Sequence, residues 1–466
     1  MAMAPVLPYL VDHLGAKGSA QYGRLQTLFS TVQFVGGLIS GPLMDRYGGR
    51  WLLAVSFAAS TLVYLMTASA TSLWMLYASR LPTVMQHSVL AARAIVTQLS
   101  SDEDRARVLG YVAVSYSVGF TVGPAIGGRL SAVSLQFSAW VATAGSALSL
   151  ISVLFMPDLP LPNEPSRRGP SANGTAAAGP STSAAGGDGS GPHAPAPAPP
   201  PLHTDVDGSA GGGGGGGKAG EAAEAAAEGA AASSGQGGAK QLLLAFVEVA
   251  RRPGVGSLLV GKVLVGLGSA VFQSLFAILL KGRYGLDPEY NGYVLSYVGL
   301  LLLLGQALLV GPIISAAGEP VVEYGCVAVM TVLYGALAAC SQLWELLVLM
   351  APLSVAGMLY ANASTSRLTK AVLPHQRGTA LAVDMSLSSG VRMLSPTLGA
   401  WALDSWGHRA VPGLAAALIG LFWVALGAGA VTIPGAGMAA LWGKVRARGK
   451  GAGGGRAERA GGAKEE

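Results

Sequence analysis

The sequence predicts an all-α membrane protein built as two copies of one six-helix bundle, and three observations carry that expectation. Of 466 residues, 51% are hydrophobic and only 12% charged, whereas soluble domains carry about 25% charged residues. Much of the chain falls into apolar runs of about 20 residues, the length an α-helix needs to cross a bilayer core. The runs also repeat. Laid over the first half, the second sets SPTLGA (Ser395–Ala400) on GPAIGG (Gly123–Gly128) and GPIISAAGE on GPLMDRYGG, keeping Gly41, Pro42 and Gly48 as Gly311, Pro312 and Gly318.

Taken in order, a stub covers Met1–Val11, and spans bounded by charges or turn residues follow at 22–44, 51–70, 72–98, 107–128 and 133–156. After a long break they resume at 254–280, 291–316, 320–340, 342–370, 379–402 and 410–433. A stub of about 11 residues covers roughly 16 Å, half the hydrocarbon core. The expectation is therefore a truncated first span, about 11.5 spans in all, through a misplaced start or a first helix that is short by nature. The opening MAMAPVLPYLV has no basic stretch ahead of its apolar residues and does not read as a signal peptide.

The break is a change of material. Stretches such as APAPAPP and GGGGGGG bury too little apolar surface to offset the entropy of ordering. Residues 1–157 thus read as an N-terminal six-helix bundle, 158–240 as a disordered Gly/Ala/Pro/Ser linker, 241–433 as a C-terminal six-helix bundle and 434–466 as a basic disordered tail. Lys and Arg concentrate in alternate loops, including Arg46, Arg50, Arg105, Arg107, Arg367, Lys370, Arg377 and the tail. The positive-inside rule puts those loops, the linker and the C-terminus on the cytoplasmic side. The net charge of +6 is spent on this asymmetry, so nucleic acid is not an expected partner. Cys326 and Cys340 fall in one helix about 21 Å apart and cannot pair with each other. No spacing suggests a metal site, a cofactor or a nucleophile–base pair, so an enzyme is not expected.

GPLMDRYGGR resembles the signature between spans two and three of the major facilitator superfamily, here Gly41, Leu43, Asp45, Arg46, Gly48 and Arg50. The resemblance implies a gate. The acid Asp45 rests against the positive N-terminal end of the eleventh helix, near Thr379, while Arg50 bonds across the loop; the other reading leaves Arg46 and Arg50 as topology signals. Gly119, Gly123, Pro124, Gly127 and Gly128 match the G-x-x-x-G-P-x-x-G-G motif of that superfamily's drug–proton antiporters. They also fit plain close packing of helices. A nearer likeness, to the organic-cation-transporter-like branch of solute carrier family 22, rests on ASRLPTVMQHSVLAARAIVTQLSSDEDRARVLG, LVGKVLV and SRLTKAVLPHQRGTALAV.

Ionisable residues deep in a span are functional candidates. Arg80 follows Leu76 as in the superfamily's span-four motif, and His87, about two helical turns on, is expected on nearly the same helix face. Asp384 is the one carboxylate expected deep in a span. It is a proton or cation acceptor, or half of a structural pair with Arg392 or Lys262; Arg392 and Lys262 are coupling candidates in their own right, and Lys262 has the further option of snorkelling to the surface. The expected function is proton-coupled antiport of an organic cation or drug-like amphiphile by a monomer in the lipid bilayer, with small organic solute and protons as partners. A facilitative metabolite transporter and a non-transporting scaffold or receptor on the same fold are the alternatives.

Overall fold

The computed structural model describes residues 2–15, 18–100, 104–157, 254–372 and 377–427. The proposed linker and tail lie outside the described residues. Within them the regular structure is helical. In the first half the elements are α1 (Leu7–His13), α2 (Ser19–Tyr47), α3 (Gly49–Ala68), α4 (Leu73–Ala78), a 3-10 turn (Leu81–Met85), α5 (Ser88–Leu99), α6 (Arg105–Ser131) and α7 (Leu135–Leu154). In the second they are α8 (Val255–Tyr284), α9 (Pro288–Leu308), α10 (Val310–Ala317), α11 (Glu319–Ala339), α12 (Leu343–Lys370), α13 (Arg377–Trp406) and α14 (Ala410–Gly427). Eight of the described helices, α2, α3, α6, α7, α8, α9, α11 and α12, are long and apolar enough to cross a membrane.

The repeat is visible in the backbone. Gly48 and Gly318 both sit at φ near +85°, ending α2 and α10 and leading directly into α3 and α11. Gly15 and Gly285 are also left-handed, at +85° and +63°. Only glycine adopts these angles without strain, so matching glycines turn the chain at matching places. Packing repeats too. A Cβ at Gly127 would lie 1.9 Å from the Ala2 carbonyl oxygen, and a Cβ at Gly399 would lie 2.8 Å from Leu275 on α8. The same position in each copy therefore brings the fifth or eleventh helix against the first or seventh.

The halves meet at the end of the bundle away from Gly48. The main apolar core takes Val6, Leu10, Tyr22, Leu25, Leu76 and Ala139 from the first half, all near that end, and packs them with α8, α11, α12 and α14. Near the Gly48 end each half has a small core of its own, Met44, Leu52 and Ile95 in one and Leu259, Leu368 and Val383 in the other. Polar bridges join the halves at the far end: Asp12 with Lys281, Ser19 with Asp404, and Arg129 with Glu289. Ser19 and Glu289 occupy matching positions in the two copies, so the same point of the repeat is used twice to tie one half to the other. Tyr9 adds a bond to the Leu286 carbonyl, and Thr27 meets Thr397 at 2.7 Å. This end is closed.

The fourth span departs from expectation. It was expected as one helix over 72–98, yet the helix stops at Ala78, passes through the 3-10 turn and restarts at Ser88. Pro82 alone does not account for the break, because its counterpart in the second copy, Pro352, sits inside α12, which runs unbroken for 28 residues. The difference lies in the neighbours. The Thr83 hydroxyl donates to the Arg80 carbonyl at 2.5 Å, the Gln86 amide donates to Ser60 Oγ at 2.9 Å, and the His87 N–H donates to Ser56 Oγ at 3.2 Å. Ser56 on α3 thus takes the His87 backbone N–H, Ser60 on α3 holds the Gln86 side chain, and Thr83 within the turn bonds the Arg80 carbonyl. Gly36 on α2 leaves room: a Cβ there would lie 1.9 Å from the Val84 carbonyl oxygen.

Candidate functional site

Two clusters of polar and charged groups lie inside the helical bundle, one per half. In the first half the break places Arg80 between α2 and α3. Arg80 is 8% exposed. Its Nε and Nη2 have no hydrogen-bond partner, and neither has Nε2 of His87. The neutral phenols of Tyr22 and Tyr64 are the described titratable groups within electrostatic reach of the guanidinium. Tyr22 accepts from Gln26 at 2.9 Å. Because the span is broken between them, Arg80 and His87 do not share a helix face, which corrects the expectation. Arg80 precedes the 3-10 turn, and His87 caps α5 beside Gly36 and Gly37.

In the second half Lys262 on α8 donates to Asp384 on α13 at 2.6 Å and to Thr365 on α12 at 2.9 Å, and Thr365 in turn donates to Asp384 at 3.3 Å. Three helices therefore meet in one hydrogen-bonded triangle, with the lysine and aspartate side chains 11% and 15% exposed. Asp384 and Lys262 each lie about seven residues, roughly 10 Å, inside the starts of their helices. Of the partners weighed for Asp384, the structure selects Lys262. Arg392 is exposed, two turns further along α13, and Lys262 does not snorkel outward. Pairing removes the cost of an isolated charge in a low-dielectric interior.

A second pair was missed. Glu323 on α11 bonds Arg367 on α12, both buried, with the guanidinium 5.3 Å from the Tyr324 ring centroid. Glu323 also lies within electrostatic reach of Lys262, so Asp384, Lys262, Glu323 and Arg367 form a string of alternating charge. Sequence reading passes over Glu323 and counts Arg367 as a topology signal. The available clue was an acid one full turn inside an apolar helix. Asp384 is consequently not the one buried carboxylate.

The predicted gate occupies the α2–α3 turn. A Cβ on Gly49 would lie 2.7 Å from Ile95, so the turn packs closely on α5. Arg50 donates to the Leu154 carbonyl at 3.0 Å, tying α3 to α7, and Arg46 lies 5.3 Å from the Tyr47 ring centroid. Gly41 is buried. The side chains of Asp45 and Thr379 lie outside the described residues, and so does their expected contact.

The glycine motif of α6 works at the closed end. A Cβ on Gly128 would lie 2.7 Å from the Pro288 carbonyl oxygen, and one on Gly292 of α9 would lie 2.4 Å from that of Pro124. Gly119 has nothing within 4 Å of such an atom. Gly128, with Gly292 facing it, thus brings helices from the two halves into backbone contact, Gly127 packs on the Ala2 backbone within its own half, and Gly119 does neither. Among the described residues no group of three His, Cys, Asp or Glu side chains is placed to hold a metal ion. Outside the spans, burial pushes the Cys340 thiol upward, helped by the charge of Glu345, and both cysteines are free.

The family model described as Major Facilitator Superfamily matches residues 1–318. Solute carrier family 22 member 18 of Mus musculus is 26% identical over 416 residues, 86% of this chain and 85% of that one. The class C tetracycline resistance protein of Escherichia coli is 34% identical over 155 residues, 33% of this chain and 39% of that one. The crystal structure of the human organic anion transporter MFSD10 (TETRAN) is similar in fold, with a TM-score of 0.54 at 19% identity over 91% of this chain and 88% of its own. With that match and the repeated helical bundles, this chain belongs to the major facilitator superfamily, whose members transport solutes across membranes.

Proposed function

We propose that the protein exports an organic cation or drug-like amphiphile in exchange for protons, by alternating access, with Asp384 as the proton carrier. The observation that carries this reading is the Lys262–Asp384–Thr365 triangle spanning α8, α12 and α13. Protonating Asp384 removes the charge that holds Lys262, so the packing of three helices depends on one proton. His87 is a second proton acceptor at the break in the fourth span. The α6 glycine motif and the likeness of one third of the chain to a tetracycline resistance protein support export.

In this reading the closed end faces away from the cytoplasm, and the linker 158–240, the tail 434–466 and the α2–α3 turn face it. Asp45, Arg46 and Arg50 latch the cytoplasmic mouth when the halves rock the other way, and Arg392 lines the path between them. The protein works as a monomer. In proteoliposomes with ethidium as probe, an imposed proton gradient should drive accumulation against the dye gradient, and Asp384→Asn should remove that dependence while leaving dye exchange at equilibrium. Transport indifferent to gradient collapse contradicts the proposal.

A further inference from the structure

Among the described residues Arg80 is the buried charge without a counter-charge. The buried cations of the second half, Lys262 and Arg367, each hold a carboxylate, whereas Arg80 is buried with two guanidinium nitrogens unbonded. Burying a cation without its counter-charge is costly. Such a cost persists in a fold when a ligand relieves it during the working cycle. Among the described residues no carboxylate acts on it. Tyr22 and Tyr64 act on the guanidinium through their phenols, Gln26 is bound to Tyr22, and Gln86 is bound to Ser60. These are neutral hydroxyl and amide groups able to donate to an oxyanion. A guanidinium presents paired N–H groups in a fork that matches the two oxygens of a carboxylate.

We propose that the break in the fourth span is an anion subsite, in which Arg80 takes a carboxylate group of the transported solute. This rests on the transport reading and sharpens it: among the organic solutes carried, those that bear a carboxylate beside the amine gain a contact at Arg80 that purely cationic ones lack. The broken helix serves the site directly. It opens the backbone at Ser79–His87 and turns Arg80 off the regular helix register, the arrangement by which discontinuous helices form solute sites in other transporters.

The test is thermal unfolding of the full-length protein in detergent, titrated at fixed pH and with no gradient, so that a failure of proton coupling leaves it unaffected. Benzoate is the probe, benzamide the neutral isostere and chloride the inorganic anion. Benzoate should raise the midpoint in a saturable way that benzamide and chloride do not reproduce. Arg80→Met should abolish the shift. Arg80→Lys, which keeps the charge and loses the fork, should raise the half-saturating benzoate concentration at least tenfold and keeps the test valid if the methionine variant does not fold. Equal shifts with benzamide or with chloride, a full benzoate shift in Arg80→Met, or an unchanged half-saturation in Arg80→Lys would overturn the proposal.

Discussion

The fourth and tenth spans are the same segment of a duplicated bundle, and they have settled into opposite states. Both carry a proline at the shared position, Pro82 and Pro352. Around Pro82 the copy is polar: Arg80, Gln86 and His87 on the span, Ser56 and Ser60 on the helix behind it, Gly36 on the helix beside it. Around Pro352 the matching positions of the second copy are Met350, Ala356 and Gly357, then Cys326 and Met330, then Gln306. The first span breaks and buries an unpaired arginine, and the second stays helical and buries Met350 in the apolar core. The lesson is that a proline permits a break but its neighbours decide it. Where hydroxyls stand ready to bond the backbone of the span and hold its side chains, the helix opens; where Cys326 and Met330 stand, it continues.

The second half shows the complementary choice about charge. It buries as much charge as the first or more, but in pairs. The strongest way to break the comparison is to give the second half an unpaired cation. Asp384→Asn should destabilise the protein by about 3–5 kcal/mol through the stranded Lys262, seen as a lower melting midpoint in detergent, and Lys262→Met added to it should restore most of the loss. A double variant no more stable than the single one would mean the pair is not what holds these helices. Next in size, Gly36→Gln, which installs the residue of the second copy, should cost about 2–3 kcal/mol by driving a side chain into the Val84 carbonyl. The converse, Gln306→Gly, should cost only about 1 kcal/mol, the ordinary penalty of glycine in a helix.

Smaller effects sharpen the view of the closed end. Arg129→Ala removes a bridge from an arginine that is itself 69% exposed, and such exposed pairs contribute little to stability; the change should read out as faster opening of that end in cysteine accessibility rather than as lost stability. His408, in the turn after α13, has its pKa lowered by burial first and then by Arg283. A histidine whose folded pKa is lowered adds stability that is full above about pH 6.5 and is lost as pH falls from there toward the folded value. His408→Gln should therefore flatten a small acid-side fall in the melting midpoint.

How much of this was legible in the sequence depends on whether the cause was local. The repeat was, because Gly48, Gly318, Gly15 and Gly285 must be glycine for backbone reasons, and laying one half of the chain over the other exposes them. The buried positions of Arg80, Lys262 and Asp384 were legible as charges inside apolar runs. The break in the fourth span was not, since its determinants, Gly36, Ser56 and Ser60, sit on α2 and α3, elements well upstream in the chain. Nor was the choice of Lys262 over Arg392 as partner of Asp384, which depends on how three helices meet. Glu323 and Arg367 went unrecognised because counting residues from a span boundary cannot tell an end from a buried turn.

The most direct measurement is hydrogen exchange of the two matching segments in one sample. Peptides covering 79–88 should exchange much faster than those covering 349–358, because the first lacks the continuous i to i−4 ladder that the second keeps. Equal protection of the two segments would contradict the account, since it would mean both copies of the proline-bearing span are intact helices.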